Sequence, residues 1–149
     1  MSVTPKNLLD LSQSLIGTAV DEATVRYSIG RSYYAAFHLA KDFHRSLSQP
    51  GALTGRSAGV HETLYQQLES PTISKTDPKY AVSKKVAAIA RDLKRVRAAA
   101  DYELEQTFSK KVAQQAIDDT LRLKALVESR GGQPVNASTS ASTQRTPPQ

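Results

Sequence analysis

The sequence predicts an all-α protein, an antiparallel bundle of four or five helices followed by a disordered C-terminal tail. Three observations carry this. Apolar residues recur at three- and four-residue steps in five successive segments, the period of one helix face. No alternating β-branched run lies between turn dipeptides, so strands have no signal. From Gly131 onward the chain turns to Gly, Gln, Pro, Ser and Thr, which cannot bury enough apolar surface to offset the entropy of ordering.

The first helix is expected to begin at Thr4, an N-cap whose hydroxyl can accept from the first turn, with Pro5 where a missing N–H costs nothing. Leu8, Leu11 and Leu15 mark its apolar stripe and Gly17 its stop. A second helix spans about Asp21 to Ser48, with Ile29, Tyr33, Phe37, Ala40, Phe43 and Leu47 as its buried stripe, and Gln49-Pro50-Gly51 ends it. A short third helix fits Ala58 to Glu69, with Val60, Leu64 and Leu68 facing the core. Asp77-Pro78 opens the fourth, where Val82, Val86, Ile89, Leu93, Val96 and Ala100 keep one apolar face for about five turns. The last helix, from about Thr107 to Ser129, is expected to bury Val112, Ala116, Ile117, Leu121 and Val127. The chain thus divides into one helical domain, residues 1–130, and a low-complexity tail, residues 131–149.

Composition narrows the function. With 149 residues there is room for one core. No stretch approaches the ~20 consecutive apolar residues of a membrane span. No secretory leader is legible at Met1-Ser2-Val3-Thr4-Pro5, and there are no cysteines, so a cytoplasmic protein without disulfides or thiolate chemistry is expected. No Gly-rich phosphate loop and no Gly-x-Ser-x-Gly elbow occurs. His61-Glu62 lacks the second histidine of the zinc helix motif, and no metal or cofactor is expected.

The net charge of +6 is concentrated in one place. Between Lys79 and Arg97 in the fourth helix fall Lys79, Lys84, Lys85, Arg91, Lys94, Arg95 and Arg97, against the single acid Asp92. At about 100° per residue, Lys84, Arg91, Arg95 and Tyr102 lie opposite the core stripe, and Arg97 sits on its shoulder. Six excess like charges on one helix must stay wet or meet an anion. One reading is a solvated basic face. The other is a phosphate-binding surface of Lys84, Arg91, Lys94 and Arg95, with Tyr102 free to stack a base. Asp101, four residues beyond Arg97, is placed to form an intrahelical ion pair with it.

Two segments add a resemblance: Arg31-Ser32-Tyr33-Tyr34-Ala35-Ala36-Phe37-His38-Leu39-Ala40, followed by Ser57-Ala58-Gly59-Val60-His61, and Arg97-Ala98-Ala99-Ala100-Asp101-Tyr102. In this order they resemble the small stand-alone HEPN proteins of prokaryotes, in the branch with Arg, three residues, then Asp-Tyr. The likeness runs from about Asn7 to Glu128. It implies a HEPN-type helical bundle that dimerises and acts on RNA. Many such relatives are metal-independent endoribonucleases, often toxins paired with a nucleotidyltransferase antitoxin; others are non-catalytic modules that bind and regulate such a partner. In active relatives an Arg is followed after four to six residues by a His, and here that place holds Tyr102. A phenol titrating near 10 is a weaker general base at neutral pH than an imidazole near 6.5. The Arg-to-His spacing occurs literally at Arg31–His38 and Arg56–His61. Arg56–His61 straddles a loop and a helix start. Arg31 and His38 share a helix face with Tyr34 and Arg45, away from the core stripe. The candidate catalytic set is therefore Arg97, Asp101, Tyr102, Arg31 and His38 lining one cleft, with Tyr33 and Phe37 assigned to the core.

Overall fold

The computed structural model describes residues 2–56 and 58–129. The expected tail, residues 131–149, and Ser57 lie outside the described residues. The protein is all-α: α1 (Pro5–Thr18), α2 (Glu22–Arg45), α3 (Val60–Glu69), α4 (Pro78–Tyr102) and α5 (Lys110–Glu128), with no strand among the described residues. No helix among them is long and apolar enough to cross a membrane.

Local chemistry fixes most ends. Thr4 accepts from the Asn7 amide while the Asn7 side chain takes the Thr4 amide, a reciprocal cap in front of Pro5. Asp21 accepts from the Thr24 amide at 2.8 Å, and Asp77 from the Lys79 amide at 2.9 Å, so each carboxylate satisfies a donor of the first turn. Four ends depart from expectation: α1 runs through Gly17 to Thr18, α3 opens at Val60 rather than Ala58, and two more differ by a turn. α2 closes at Arg45, where Ser46 caps it, rather than at Ser48. α5 opens at Lys110 rather than Thr107, because Phe108 leaves the connection to bury itself in the core.

α2 is the central helix, packed by α1, α4 and α5. Arg26 meets Ala100 while Tyr34 meets Arg97, so α2 and α4 run antiparallel. Glu62 meets Lys94 and Leu68 meets Ser83, which makes α3 antiparallel to α4. Tyr33, Phe37, Ala40 and Phe43 pack with Leu64, Leu68, Val86, Ala90 and Leu93 in the main core. The whole stripes expected for α2 and α4 are in place, Leu47 and Val96 only half-buried.

The stripes of the other helices are corrected. α1 buries Leu9 and Ser12, leaving Leu8 and Leu15 half-buried and Leu11 exposed. The reason is a polar seam. Ser12 and Ser28 exchange hydroxyl bonds to each other's carbonyls at 2.8 Å. Two backbones thereby approach where a leucine would hold them apart. Between α2 and α5 the Ser32 hydroxyl donates to the Ala116 carbonyl at 2.9 Å and meets the Thr120 hydroxyl at 2.8 Å. The face of α5 is thereby turned to Ala113, Ala116, Ile117, Thr120 and Leu123, and Leu121 is left exposed. In α3, Val60 is exposed and Tyr65 takes the core place.

Candidate functional site

Arg97 stands at the centre of an aromatic cluster near the C-terminal end of α4. Its side chain is 23% exposed and its Nε lies 2.7 Å from the Asp101 carboxylate, the expected intrahelical ion pair. The same guanidinium donates from NH2 to the Tyr34 hydroxyl at 3.3 Å. Its carbon lies 5.8 Å from the Tyr33 ring, 5.5 Å from Tyr34 and 5.9 Å from Tyr102. All three are within cation–π range. Helix geometry explains the grouping. Arg97 sits on the shoulder of the α4 stripe and so looks along the seam with α2, where Tyr33 and Tyr34 fall on adjoining faces. Tyr102 is 73% exposed, leaving one ring face for solvent.

Arg31 and His38 lie with Tyr34 in a recess whose lining does not include Arg97, Asp101 or Tyr102, so the five residues expected in one cleft are divided. The Arg31 guanidinium lies between Tyr27 and Tyr34, 4.9 and 5.0 Å from their rings. It has no carboxylate partner among the described residues, and its Nε is buried without a hydrogen bond. Arg31, Tyr34 and His38 line one open recess of about 580 Å³, closed at its rim by Thr4, Leu8 and Asp42. Tyr34 thus joins the two halves of the expected set: it bonds Arg97 and flanks Arg31.

The basic face of α4 is organised differently from a free cationic stripe. Arg91 bridges Glu62 at 2.6 Å and Glu69 at 2.8 Å, both from α3. Lys94 lies 3.4 Å from Glu62, and Arg95 pairs with Asp92. Lys84 lies over the Tyr80 ring, several turns along the helix from Arg97. Arg91 and Lys94 thus meet the carboxylates of α3, while Arg95 meets one of its own helix.

The residue that reasoning from sequence set aside is His61. Its Nδ1 is hydrogen-bonded to the Tyr33 hydroxyl, and Tyr33 bonds the Tyr65 hydroxyl at 2.9 Å. Its ring stacks on Phe37 with centroids 4.0 Å apart and meets the edge of Tyr34 at 6.3 Å. Tyr33 and Phe37 are core residues, as expected, and also hold this imidazole. The signal for it in the sequence is the Arg-to-His spacing at Arg56–His61, discounted because it straddles a loop and a helix start.

A proton count fixes the tautomer. Tyr65 is fully buried, and the Tyr33 oxygen is its only acceptor among the described residues. If Tyr65 donates to Tyr33 and Tyr33 donates to His61 Nδ1, every buried donor is used and the imidazole proton sits on Nε2. Reversing the chain strands the Tyr65 hydroxyl proton, at a cost of about 1–3 kcal/mol. Burial raises both phenols above their ordinary range, so they stay protonated. Burial, and then the charges of Lys94, Arg97 and His38, hold the His61 imidazole below its usual range and favour its neutral form.

His44, whose Nε2 accepts from the Gly51 amide at 3.3 Å, is also held low by burial. A histidine lowered in the folded state is neutral where the unfolded chain is already protonated. The unfolded state therefore binds more protons, and stability is complete above about pH 6.5 and lost as pH falls through the folded values. Thermal melts should show Tm falling from pH 7 toward pH 5, with a shallower fall in a His44→Gln, His61→Gln double variant. Equal slopes in parent and variant would assign the effect elsewhere.

Comparison of the chain with family models, with curated proteins and with solved structures returns no match.

Proposed function

We propose that this chain is a HEPN-type protein that acts on RNA, with its centre at Arg97, and that the reaction is metal-independent endonucleolytic cleavage. The observation that supports this is the placement of one guanidinium among Tyr33, Tyr34 and Tyr102, anchored by Asp101 and still partly open to solvent. An arginine so fixed offers a planar donor fork to a phosphodiester, and the exposed ring of Tyr102 offers a base a stacking surface. In such a site the ribose 2′-oxygen attacks phosphorus and the P–O5′ bond breaks. The 2′-hydroxyl proton leaves to a base, O5′ takes one from an acid or water, and a 2′,3′-cyclic phosphate and a 5′-hydroxyl result. Arg97 stabilises the charge that grows on the non-bridging oxygens. In this proposal the protein works as a cytoplasmic homodimer, in a toxin–antitoxin or defence setting with a nucleotidyltransferase as its antitoxin.

The second reading is a non-catalytic HEPN module that regulates such a nucleotidyltransferase. It is favoured by a specific observation: Arg91, Lys94 and Arg95 are already answered by carboxylates, which weakens α4 as a free RNA-binding stripe.

Purified protein incubated with mixed-sequence RNA in EDTA separates the two. Cleavage that falls by about 100-fold in Arg97→Ala, the usual cost of removing one charge-stabilising donor, supports the ribonuclease. Parent protein that leaves the RNA intact, alone and after removal of any co-purifying chain, overturns that reaction in favour of the regulatory module.

A further inference from the structure

The Arg97 cluster has one imidazole locked in place by core residues, and nothing in the acid–base scheme above uses it. We infer that His61 is a fixed, neutral hydrogen-bond donor for the phosphate group bound at Arg97, its Nε2–H acting beside the guanidinium as a second contact to the anion. This rests on the RNA reading for the identity of the ligand, though not for the presence of the donor.

Three features carry the inference. First, His61 and Arg97 use the same two tyrosines. Nδ1 of His61 is bonded to the hydroxyl of Tyr33, whose ring lies under Arg97, and Tyr34 bonds Arg97 while its ring meets His61 edge-on. Second, the ring cannot turn freely, since Phe37 covers one face and the Tyr65–Tyr33 chain fixes Nδ1 as an acceptor. Third, Nε2 has no partner among the described residues, and it is not among the buried nitrogens that lack a hydrogen bond. A donor with its tautomer set from inside the core and its free N–H at the surface is pre-organised for an acceptor.

The charged and titratable groups around it fit an anion better than a cation. Lys94 and Arg97 lie near it from α4 and His38 from α2, and the carboxylates of the neighbourhood are already paired, Glu62 with Arg91 and Lys94 and Asp101 with Arg97. Tyr33 and Tyr65, raised by burial, stay uncharged neighbours. An imidazole that resists protonation still donates through Nε2, which suits recognition of a phosphate over a wide pH range. It does not suit abstraction of the 2′-hydroxyl proton, because the nitrogen that would accept that proton already carries one. His61 is therefore a binding donor and not the general base.

The test reads His61 directly in the full-length protein. Nitrogen-15 NMR at pH 7.5 should report the Nε2–H tautomer, with titration below that of an ordinary imidazole. Titration with a 2′-O-methyl RNA oligonucleotide, which cannot be cleaved, should shift the His61 and Arg97 side-chain signals together. Affinity should fall roughly tenfold or more in His61→Ala, as expected for loss of one bond to a charged group, and recover largely in His61→Gln, whose amide keeps an N–H near the Nε2 position. An Nδ1–H tautomer, or RNA binding that leaves His61 unmoved, would overturn the inference while leaving the RNA reading intact. Oligonucleotide that does not bind, together with inorganic phosphate that does shift His61 and Arg97, would overturn the RNA reading and support the donor. If neither ligand moves His61, the donor role is overturned. His61→Gln as inactive in cleavage as His61→Ala, with RNA affinity intact, would overturn it too by pointing to proton transfer.

Discussion

Replacing Arg26 with alanine is expected to lower stability by about 3 kcal/mol and to loosen the connection between α4 and α5. The side chain is 13% exposed and answers several groups at once. Its Nε donates to Glu22 at 2.9 Å. NH1 donates to the carbonyls of Ala100 at 2.7 Å and Glu103 at 3.2 Å, NH2 donates to Gln106, and the guanidinium stacks on Phe108 at 4.8 Å. These carbonyls belong to the last turn of α4 and the turn beyond it, which a helix cannot satisfy from within. A hydrogen bond from a charged group is worth about 1.5–3 kcal/mol, and breaking one side of a largely buried pair about 3–5 kcal/mol. Exposure of Glu22 and hydration of the outer carbonyls place the expected loss near the lower end of the combined range. Arg26→Lys should recover only part of it, since an ammonium cannot reproduce the fork. Urea unfolding checks the magnitude, and limited proteolysis within residues 103–109 checks the location. Arg26→Ala as stable as the parent would mean that the α4–α5 connection is held by Phe108 packing alone. The effect bears on the site as well, because Tyr102 lies within the segment that Arg26 clamps, between Ala100 and Glu103.

Gly51→Ala is expected to destabilise by about 3 kcal/mol or more, the upper end of what overpacking against backbone costs. An added Cβ would lie 1.7 Å from the carbonyl oxygen of Gln67 and 2.4 Å from its carbonyl carbon, both main-chain atoms of α3 that no rotamer change can move. The loop is pinned at that spot. The Gln67 side-chain amide donates to the Gly51 carbonyl at 3.2 Å, and the Ala52 amide donates to Ser70 at 2.8 Å. Relief requires α3 to shift as a unit, and α3 carries Tyr65, His61 and Glu62. The His61 resonances should therefore move in whatever fraction of the variant folds. Gly30→Ala is the matched control. Its Cβ meets nothing within 4 Å. Alanine is favoured over glycine inside a helix by about 1 kcal/mol, so that variant should be neutral or slightly stabilised. Equal melting temperatures for Gly51→Ala and the parent would show that the loop and α3 separate without cost.

The residues that were legible in advance share a physical property: their role is set within a few turns of their own helix. The stripe Val82 to Ala100 and the stripe Ile29 to Phe43 follow from the helical period alone. The caps at Thr4 and Asp77 are chemistry between near neighbours in the chain, and the Arg97–Asp101 pair follows from i,i+4 geometry. Apolar periodicity could not register Ser12, Ser28, Ser32 and Thr120 as core residues. Each is buried through a partner 16 or more residues away, and hydropathy scores the isolated side chain.

The sequence by itself determined the helices and most of their caps, because main-chain hydrogen bonding and side-chain alternation are local. It also marked Arg97, Asp101 and Tyr102 as a unit, since they are consecutive turns of one helix. Tertiary structure alone decided what surrounds that unit. Crossing of α2 and α4 brought Tyr33 and Tyr34 to Arg97, and packing of α3 placed Glu62 and Glu69 on the basic face. The same packing set the His61 ring against Tyr33 and Phe37. Those contacts join residues far apart in the chain, and their existence depends on which helix faces meet. That choice is governed by close packing of the whole core, including its small polar seams, and no local window of the chain contains it.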